Sequence, residues 1–458
     1  MKSALKAITF FTVLFSAQFF NVAMAQAPFS VWLQGLKQEA MVSGISDATV
    51  LATVSHVELL PDVVERDHSQ PEFISPFLNY YYKRVDALKI QKGRELLSEH
   101  YELLNQIESQ YGVPKSILIA FWGMETQYGS YQGNVDTLSA LATLAYDGRR
   151  AEFFRGQLLD AMRIIDAGHA DVEAFKGSWA GAFGNMQFMP TTFMLYAVDG
   201  DDDGEIDVIN SLPDAFTSAA NYLAQVGWLI NEPAMIEVQL PENFAWQDAH
   251  LTLKKTVGEW TQLGVRALLA ENTTLNASAT NTSELLANKP LDKKVRKSKI
   301  KAAGKKVVSK KVKTQQFAES QQNNNVVTTA LPNVAGSASI LLPQGWRGPA
   351  FMVFDNFDVI MDWNRSVNYA LSVAQLAKRL NQESRIIGGQ LAEEGALTFQ
   401  QMFELQETLN ARGYDAGEPD GFPGLKTQAA VRAYQLLQQL PADGYASPSM
   451  YERLMSQP

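Results

Sequence analysis

The chain contains no cysteine in its 458 residues. That absence excludes disulfides and thiol chemistry, and it excludes a lipid-modified cysteine at an N-terminal cleavage site. Long apolar runs are also missing: after the first 20 residues no stretch has the length and apolarity of a membrane span. Positive charge is in deficit, with 39 Lys and Arg against 49 Asp and Glu and a net charge of −10, which argues against a general nucleic-acid binder. One deficit is local. From about Asn272 to Gly336 aromatics are scarce, Asn, Thr, Ser and Ala dominate, and a Lys/Arg run extends from Lys293 to Lys313. Such a composition cannot build a core, so about 272–336 reads as a disordered basic insertion, a solvated linker rather than a specific contact with anionic polymer or lipid.

What is present suits a folded chain of two or more domains: 46% hydrophobic and 19% charged residues over a length that can bury a large core. The first stretch reads as an export signal. Lys2 and Lys6 precede and flank an apolar run from Ala7 to Phe20, and Ala23-Met24-Ala25 supplies a small-x-small cleavage pattern, so residues 1–25 are expected to be removed. From Pro28 to Tyr101 the pattern is helical, and Gly44-Ile45-Ser46-Asp47 reads as a turn with an N-cap before Val50-Leu51. Ile236 to Leu240 alternates like a strand, Ala350 to Phe354 reads as another, and Tyr369 to Leu380 as a helix. Residues 384–396 read as a linker, and 397–458 as a compact helical module.

The stretch from Tyr111 to Gly129, YGVPKSILIAFWGMETQYG, carries the sharpest chemical signal. Pro114 suits the first helical turn and Gly129 the far end. Between them Leu118, Phe121, Trp122 and Glu125 share one face at helical spacing. A carboxylate on an apolar stripe, in the last turn where the helix end is partially negative, is expected to hold its proton more tightly. A general acid needs that property. An edge position snorkelling to water is the bland alternative, and the helix alone does not decide between them.

The surrounding motifs resemble a known family. The helix around Glu125, the segment Gly177 to Gly184 (GSWAGAFG), the run Gln187-Phe188-Met189-Pro190, Tyr146 to Arg150 before Ala151-Glu152-Phe153-Phe154, and Asp355-Asn356-Phe357 with Trp363-Asn364-Arg365-Ser366 are similar, in order, to the B-type lytic murein transglycosylases. The resemblance covers about Pro28 to Leu380. It implies a mainly α (α+β) fold: a lysozyme-like catalytic core with an added helical domain and a small β domain, over residues 26–383. It implies cleavage of the β-1,4 bond between N-acetylmuramic acid and N-acetylglucosamine, with Glu125 as the single catalytic acid and base and no cofactor for the chemistry. The expected partners are the glycan strands of peptidoglycan, not nucleic acid. With no membrane segment left after signal cleavage, the expected compartment is the periplasm. By motif, Arg149, Arg150, Ser178, Gln187, Phe188, Tyr222, Asn364 and Tyr369 are expected to bind substrate, and Trp363 stands where an aromatic is usual. No second carboxylate lies close to Glu125 in sequence, although Asp136 and Asp147 are candidates in space. A muramidase using water on the same bond, and a non-catalytic wall scaffold, are the alternative readings.

Asp199 to Asp207 (DGDDDGEID) begins like an EF-hand loop, with carboxylates at positions 1, 3, 5 and 9 and Gly at 6. Position 12 is Asn210, so the standard loop is incomplete, and an acidic surface turn is the plain alternative. The family resemblance implies a calcium loop here, held by Asp199, Asp201, Asp203 and Asp207 and closed by Asp214. The last module, with Pro419-Asp420-Gly421 echoed by Ala442-Asp443-Gly444 and an apolar side expected from Val431, Tyr434 and Leu437, resembles the three-helix peptidoglycan-binding domain.

Overall fold

Helix-forming segments fill the first half of the chain in the computed structural model, which describes residues 27–68, 75–148, 150–270, 326–392 and 394–457. In order come α1 (Phe29–Val42), α2 (Asp47–His56), α3 (Pro61–His68), α4 (Phe77–Arg84), α5 (Ala87–Glu99), α6 (Tyr101–Tyr111) and α7 (Lys115–Thr126). A short antiparallel pair, β1 (Val135–Asp136) and β2 (Lys176–Gly177), brackets α8 (Thr137–Asp147) and α9 (Ala151–Asp166), and α10 (Pro190–Tyr196) and α11 (Leu212–Gln225) follow. Four of these helix starts are written in the sequence as polar caps. The side chains of Ser46, Asp86, Asp136 and Ser211 each accept the backbone N–H three residues on, a cap worth about 1 kcal/mol.

A small antiparallel sheet forms the second unit, from β3 (Met235–Gln239), β4 (Lys255–Thr256), β5 (Arg266–Ala270), β6 (Val326–Thr329), β7 (Ser337–Leu341) and β8 (Ala350–Val353), with α12 (Val257–Gln262) after β4. Strand order is β4-β7-β8-β3-β5-β6. The register sets Met235 opposite Val353 and Val238 opposite Ala267. Because side chains alternate along a strand, Ile236 and Val238 enter the sheet's own core with Trp260, Ile340 and Met352. Met235, of the other parity, joins the large helical core. Strand β6 corrects one expectation: Val326–Thr329 pairs with β5, inside the span read as unstructured. Residues 271–325, with the basic run, lie outside the described residues, as does the leader.

The chain then returns to the helical core through α13 (Asp355–Trp363) and α14 (Val367–Leu380). The large core takes in α7 and α14 together with residues from α4 to α11. The C-terminal module has a core of its own from α15 (Phe399–Ala411), α16 (Leu425–Leu437) and α17 (Pro448–Ser456), centred on Leu405, Leu409, Val431, Tyr434 and Leu454. Leu437 is not part of it: at 72% exposed it lies in the last turn of α16, facing away from the other two helices. Among the described residues no helix is long and apolar enough to cross a membrane.

Candidate active site

Helix α7 is more deeply buried than its pattern suggested. Every residue from Ser116 to Met124 is buried, as is Thr126, so burial extends round the helix and leaves Lys115 and Glu125 as its partly exposed residues. Pro114 is the N-cap rather than a first-turn residue, and the helix ends at Thr126, three residues short of Gly129. Gln127, Tyr128 and Gly129 then follow in left-handed conformation, with φ of 51°, 61° and 75°. Two of these carry side chains and so resist that region. The turn is held by the Tyr128 N–H donating to the Trp122 carbonyl at 3.1 Å and by the Tyr128 hydroxyl donating to the Lys89 carbonyl at 2.8 Å. Gly123 makes the fit possible, since a Cβ there would lie 2.6 Å from the Tyr128 ring. The ammonium of Lys89 donates to the Gly123 carbonyl at 2.8 Å, satisfying an acceptor at the helix end. Burial, with Arg84 nearby, holds the Lys89 pKa below its usual value.

Glu125 is the half-buried residue in this otherwise buried turn. Two donors from distant parts of the chain converge on its Oε1. The Trp363 indole N–H donates at 3.0 Å, and the Tyr369 hydroxyl donates to the same oxygen. Tyr369 lies on the first turn of α14, and Trp363 is the last residue of α13. Burial and the facing Glu125 carboxylate push the Tyr369 pKa well above its usual value, so it stays a donor across the working pH range. The indole is walled by Phe121, Tyr222 and Phe188 at ring distances of 4.4, 5.1 and 5.3 Å. Tyr222 meets it edge-on, and burial, helped by Asp362, pushes the Tyr222 pKa up to about 12.

The other residues singled out in the sequence hold the frame. Asn364 Oδ1 accepts the Ser366 N–H at 3.2 Å, and Ser366 Oγ caps α14 by accepting the Tyr369 N–H at 3.3 Å, so Asn364 fixes Tyr369 at one remove. Gln187 takes a left-handed φ of 52° and donates its amide to the carbonyls of Gln132 and Gly184. Ser178 Oγ accepts the N–H groups of Ala180 and Ala182, ordering its own turn. Arg150 is joined to Asp67 at 2.5 Å, a carboxylate only 2% exposed, and stacks over Phe154. That guanidinium docks α3 to the start of α9. Arg149 lies outside the described residues. Asp136 is engaged as the cap of α8 and by His56 Nε2 at 2.8 Å, and Asp147 ends α8.

In the acidic loop, one carboxylate oxygen each from Asp199, Asp201 and Asp203 lies within 4.8 Å of the others. Asp199 also accepts N–H groups from Asp203 and Gly204, and the backbone N–H of Gly204 above all holds its pKa below the usual value. Asp207 folds back on Ile209 and Asn210. Asp214 is buried beneath the loop and accepts the N–H groups of Gly200 and Asp207 at 2.7 Å each. The first three acids therefore form an oxygen cluster that suits a hard cation. Asp207 and Asp214 order the loop around it.

The sequence profile of the Transglycosylase SLT domain matches residues 28–298 and 286–378, and that of a peptidoglycan binding domain matches 400–454. The chain belongs to the SLT transglycosylase family. A solved relative, SltB3 from Pseudomonas aeruginosa in complex with NAG-anhNAM-pentapeptide, is 36% identical with a TM-score of 0.76, covering 93% of this chain and 99% of that one. A second SltB3 structure holds NAG-NAM-pentapeptide. Membrane-bound lytic murein transglycosylase B of Escherichia coli (strain K12) is 37% identical over 154 residues, which is 33% of this chain and 42% of that relative. Slt35 of Escherichia coli, solved with bulgecin A, shares the fold at 23% identity and a TM-score of 0.56, covering 79% of this chain and 95% of that one.

In this SLT chain the residue that sequence reasoning passed over is Asn185. It is buried and accepts the Trp122 indole N–H at 2.9 Å. Its amide donates to the Ile209 carbonyl at 2.8 Å, and its own carbonyl accepts from Thr126 at 2.9 Å. It thereby ties the end of α7 to the segment carrying Phe188 and to the end of the acidic loop. Its place between Gly184 and Gln187 was the available signal.

Proposed function

We propose that this chain is a lytic transglycosylase, cleaving the β-1,4 bond between N-acetylmuramic acid and N-acetylglucosamine and leaving 1,6-anhydromuramoyl ends. The observation that carries the reading is Glu125 at the end of a buried helix, with Trp363 and Tyr369 both donating to Oε1. Because Oε1 accepts two hydrogen bonds, the transferable proton belongs on Oε2. Glu125 gives that proton to the leaving glycosidic oxygen as the bond to muramoyl C1 breaks. The carboxylate so formed, stabilised by the two donors, then takes the proton of the muramoyl C6 hydroxyl as its oxygen bonds to C1. Glu125 ends protonated, as it began. The nucleophile belongs to the substrate and therefore has a high effective concentration. Hydrolytic glycosidases instead place a second carboxylate for water or the sugar. The engagement of Asp136 with His56 and α8 supports the single-carboxylate route. Phe188, Tyr222 and Trp363 form the aromatic wall behind the acid, and Gln187, Ser178 and Asn364 shape the loops around it. Mass spectrometry of a sacculus digest tests this: anhydro ends support it, and reducing ends would make the chain a muramidase.

Residues 1–25 serve as the cleaved export signal, which places the enzyme in the periplasm. Residues 397–458 hold it on its polymer and so raise the local substrate concentration. The acidic loop takes a structural calcium ion on Asp199, Asp201 and Asp203, cross-linking the loop next to α11. One structure of similar fold, Slt35, is a complex with calcium, but the reading rests on the carboxylate cluster of this chain.

A further inference from the structure

The C-terminal module is seated on the sheet unit. Asp443, buried in the module, accepts the Trp346 backbone N–H at 2.9 Å with one oxygen. Its other oxygen takes the Gln435 amide and the Tyr445 N–H at 2.8 Å each. Trp346 stands in the turn between β7 and β8. The neighbouring Gly345, at φ +72°, admits the close approach, since a Cβ there would lie 2.8 Å from the Asp443 carboxylate. The linker is pinned as well: Glu237 on β3 accepts the N–H groups of Ile387 and Gly388. Between the β7–β8 turn, the linker and the module lies a groove with a volume of about 570 Å³.

Its lining has the parts of a recognition site. Trp346 offers an indole 42% exposed, with the Arg347 guanidinium over it at 4.8 Å. Arg453 of α17 and Tyr445 line the groove from the module. Among the described residues neither Arg347 nor Arg453 forms an ion pair. The acids that share the lining are engaged: Asp443 as above, and Glu394 by the Ser449 N–H at 3.0 Å. A flat indole stacks on a pyranose or peptide plane, and a guanidinium pairs bidentately with a carboxylate.

We propose that this groove is a second peptidoglycan site, shared between the β7–β8 turn and the module, which takes the carboxylate-bearing peptide stem of a strand. The proposal rests on the reading that the chain acts on peptidoglycan. Neither unit makes the site alone: Trp346 and Arg347 come from the sheet, and Arg453 and Tyr445 from the module. The module therefore acts as half of a clamp rather than as a free tether, and it recognises peptide-bearing strands.

The test uses the full chain carrying Glu125→Gln, so that the polymer is not consumed. Binding is measured by co-sedimentation with intact sacculi and by fluorescence anisotropy with the labelled, soluble glycan strands that an amidase leaves when it removes the cross-linking peptides. Adding Arg347→Ala and Arg453→Ala is expected to weaken binding to intact sacculi at least tenfold, as befits the loss of charge-assisted hydrogen bonds. Binding to the stripped strands should stay within twofold, and Lys at both positions should recover part of the loss. Both residues are exposed, and thermal melting checks that folding is kept. Unchanged binding to intact sacculi, or an equal loss on both polymers, overturns the shared groove. Anhydro-muropeptide release by the unmodified chain is scored separately, so a failure of the transglycosylase reading is told apart from a failure of the groove.

Discussion

Tyr369→Phe removes one hydroxyl from the site and leaves the buried ring against Phe121. Glu125 Oε1 then loses that donor and keeps the Trp363 N–H, at 3.0 Å. The hydroxyl bonds the carboxylate more strongly than the neutral acid, so its loss destabilises the state formed when the proton has been given away. A hydrogen bond to a charged group is worth about 1.5–3 kcal/mol, and each 1.36 kcal/mol is a factor of ten in rate or one unit in pKa. The acid step should slow by roughly 10- to 100-fold. The alkaline limb of the rate profile, where Glu125 loses its proton, should move up by about one to two pH units. The assay is initial release of soluble muropeptides from sacculi between pH 4 and 9, with melting curves as the folding control. A merely structural Tyr369 would lower activity without moving the limb. A rate within twofold of wild type and an unmoved limb would refute the role given to this hydroxyl.

Two further outcomes are expected. Calcium should raise the melting temperature of the wild-type chain relative to chelator, because a ligand bound only by the folded state stabilises it; Asp201→Ala with Asp203→Ala should abolish the difference, and superimposable wild-type curves with calcium and chelator would remove the metal site. Burial pushes the pKa of Glu237 from 4.5 to about 7, so the folded chain keeps a proton that the unfolded chain releases earlier. Its contribution, about 3 kcal/mol, is complete below pH 4.5 and lost as pH rises through 7. Melting of Glu237→Gln should therefore depend less on pH between 5 and 8 than melting of wild type, and identical pH profiles would count against it.

The element carrying the acid was legible because its signals are local: a helix-starting Pro114, an apolar run, and one carboxylate in the last turn. The partners of that acid were not, because Trp363 and Tyr369 lie 238 and 244 residues along the chain. The sequence places both near a helix junction but says nothing of which helix α14 packs against. Motif matching placed Tyr369 in the cleft as a substrate residue, and gave no hint that its hydroxyl donates to Glu125. Arg150 illustrates the opposite case. An arginine ahead of a helix resembles an anion binder, yet its guanidinium is joined to Asp67, 83 residues earlier. Period counting also failed at both extremes of burial. Helix α7 is buried all round, so no polar face marks its orientation. Leu437 fits the spacing of α16 but lies in its last turn, beyond the reach of the packed helices.

The most direct test of the account is the product made by Glu125→Gln. The amide keeps an oxygen to accept from Trp363 and Tyr369, so fold and sacculus binding should persist. It can neither give nor take the proton. Acid–base catalysis commonly contributes about 10²–10⁴-fold, and in the proposed mechanism one residue serves both half-reactions. Anhydro-muropeptide release, followed by mass spectrometry, should fall by about 10⁴-fold or more while wild type yields 1,6-anhydro ends. Near wild-type release of anhydro products by Glu125→Gln would contradict the account and move the acid to another carboxylate, Asp136 or Asp147 first among them.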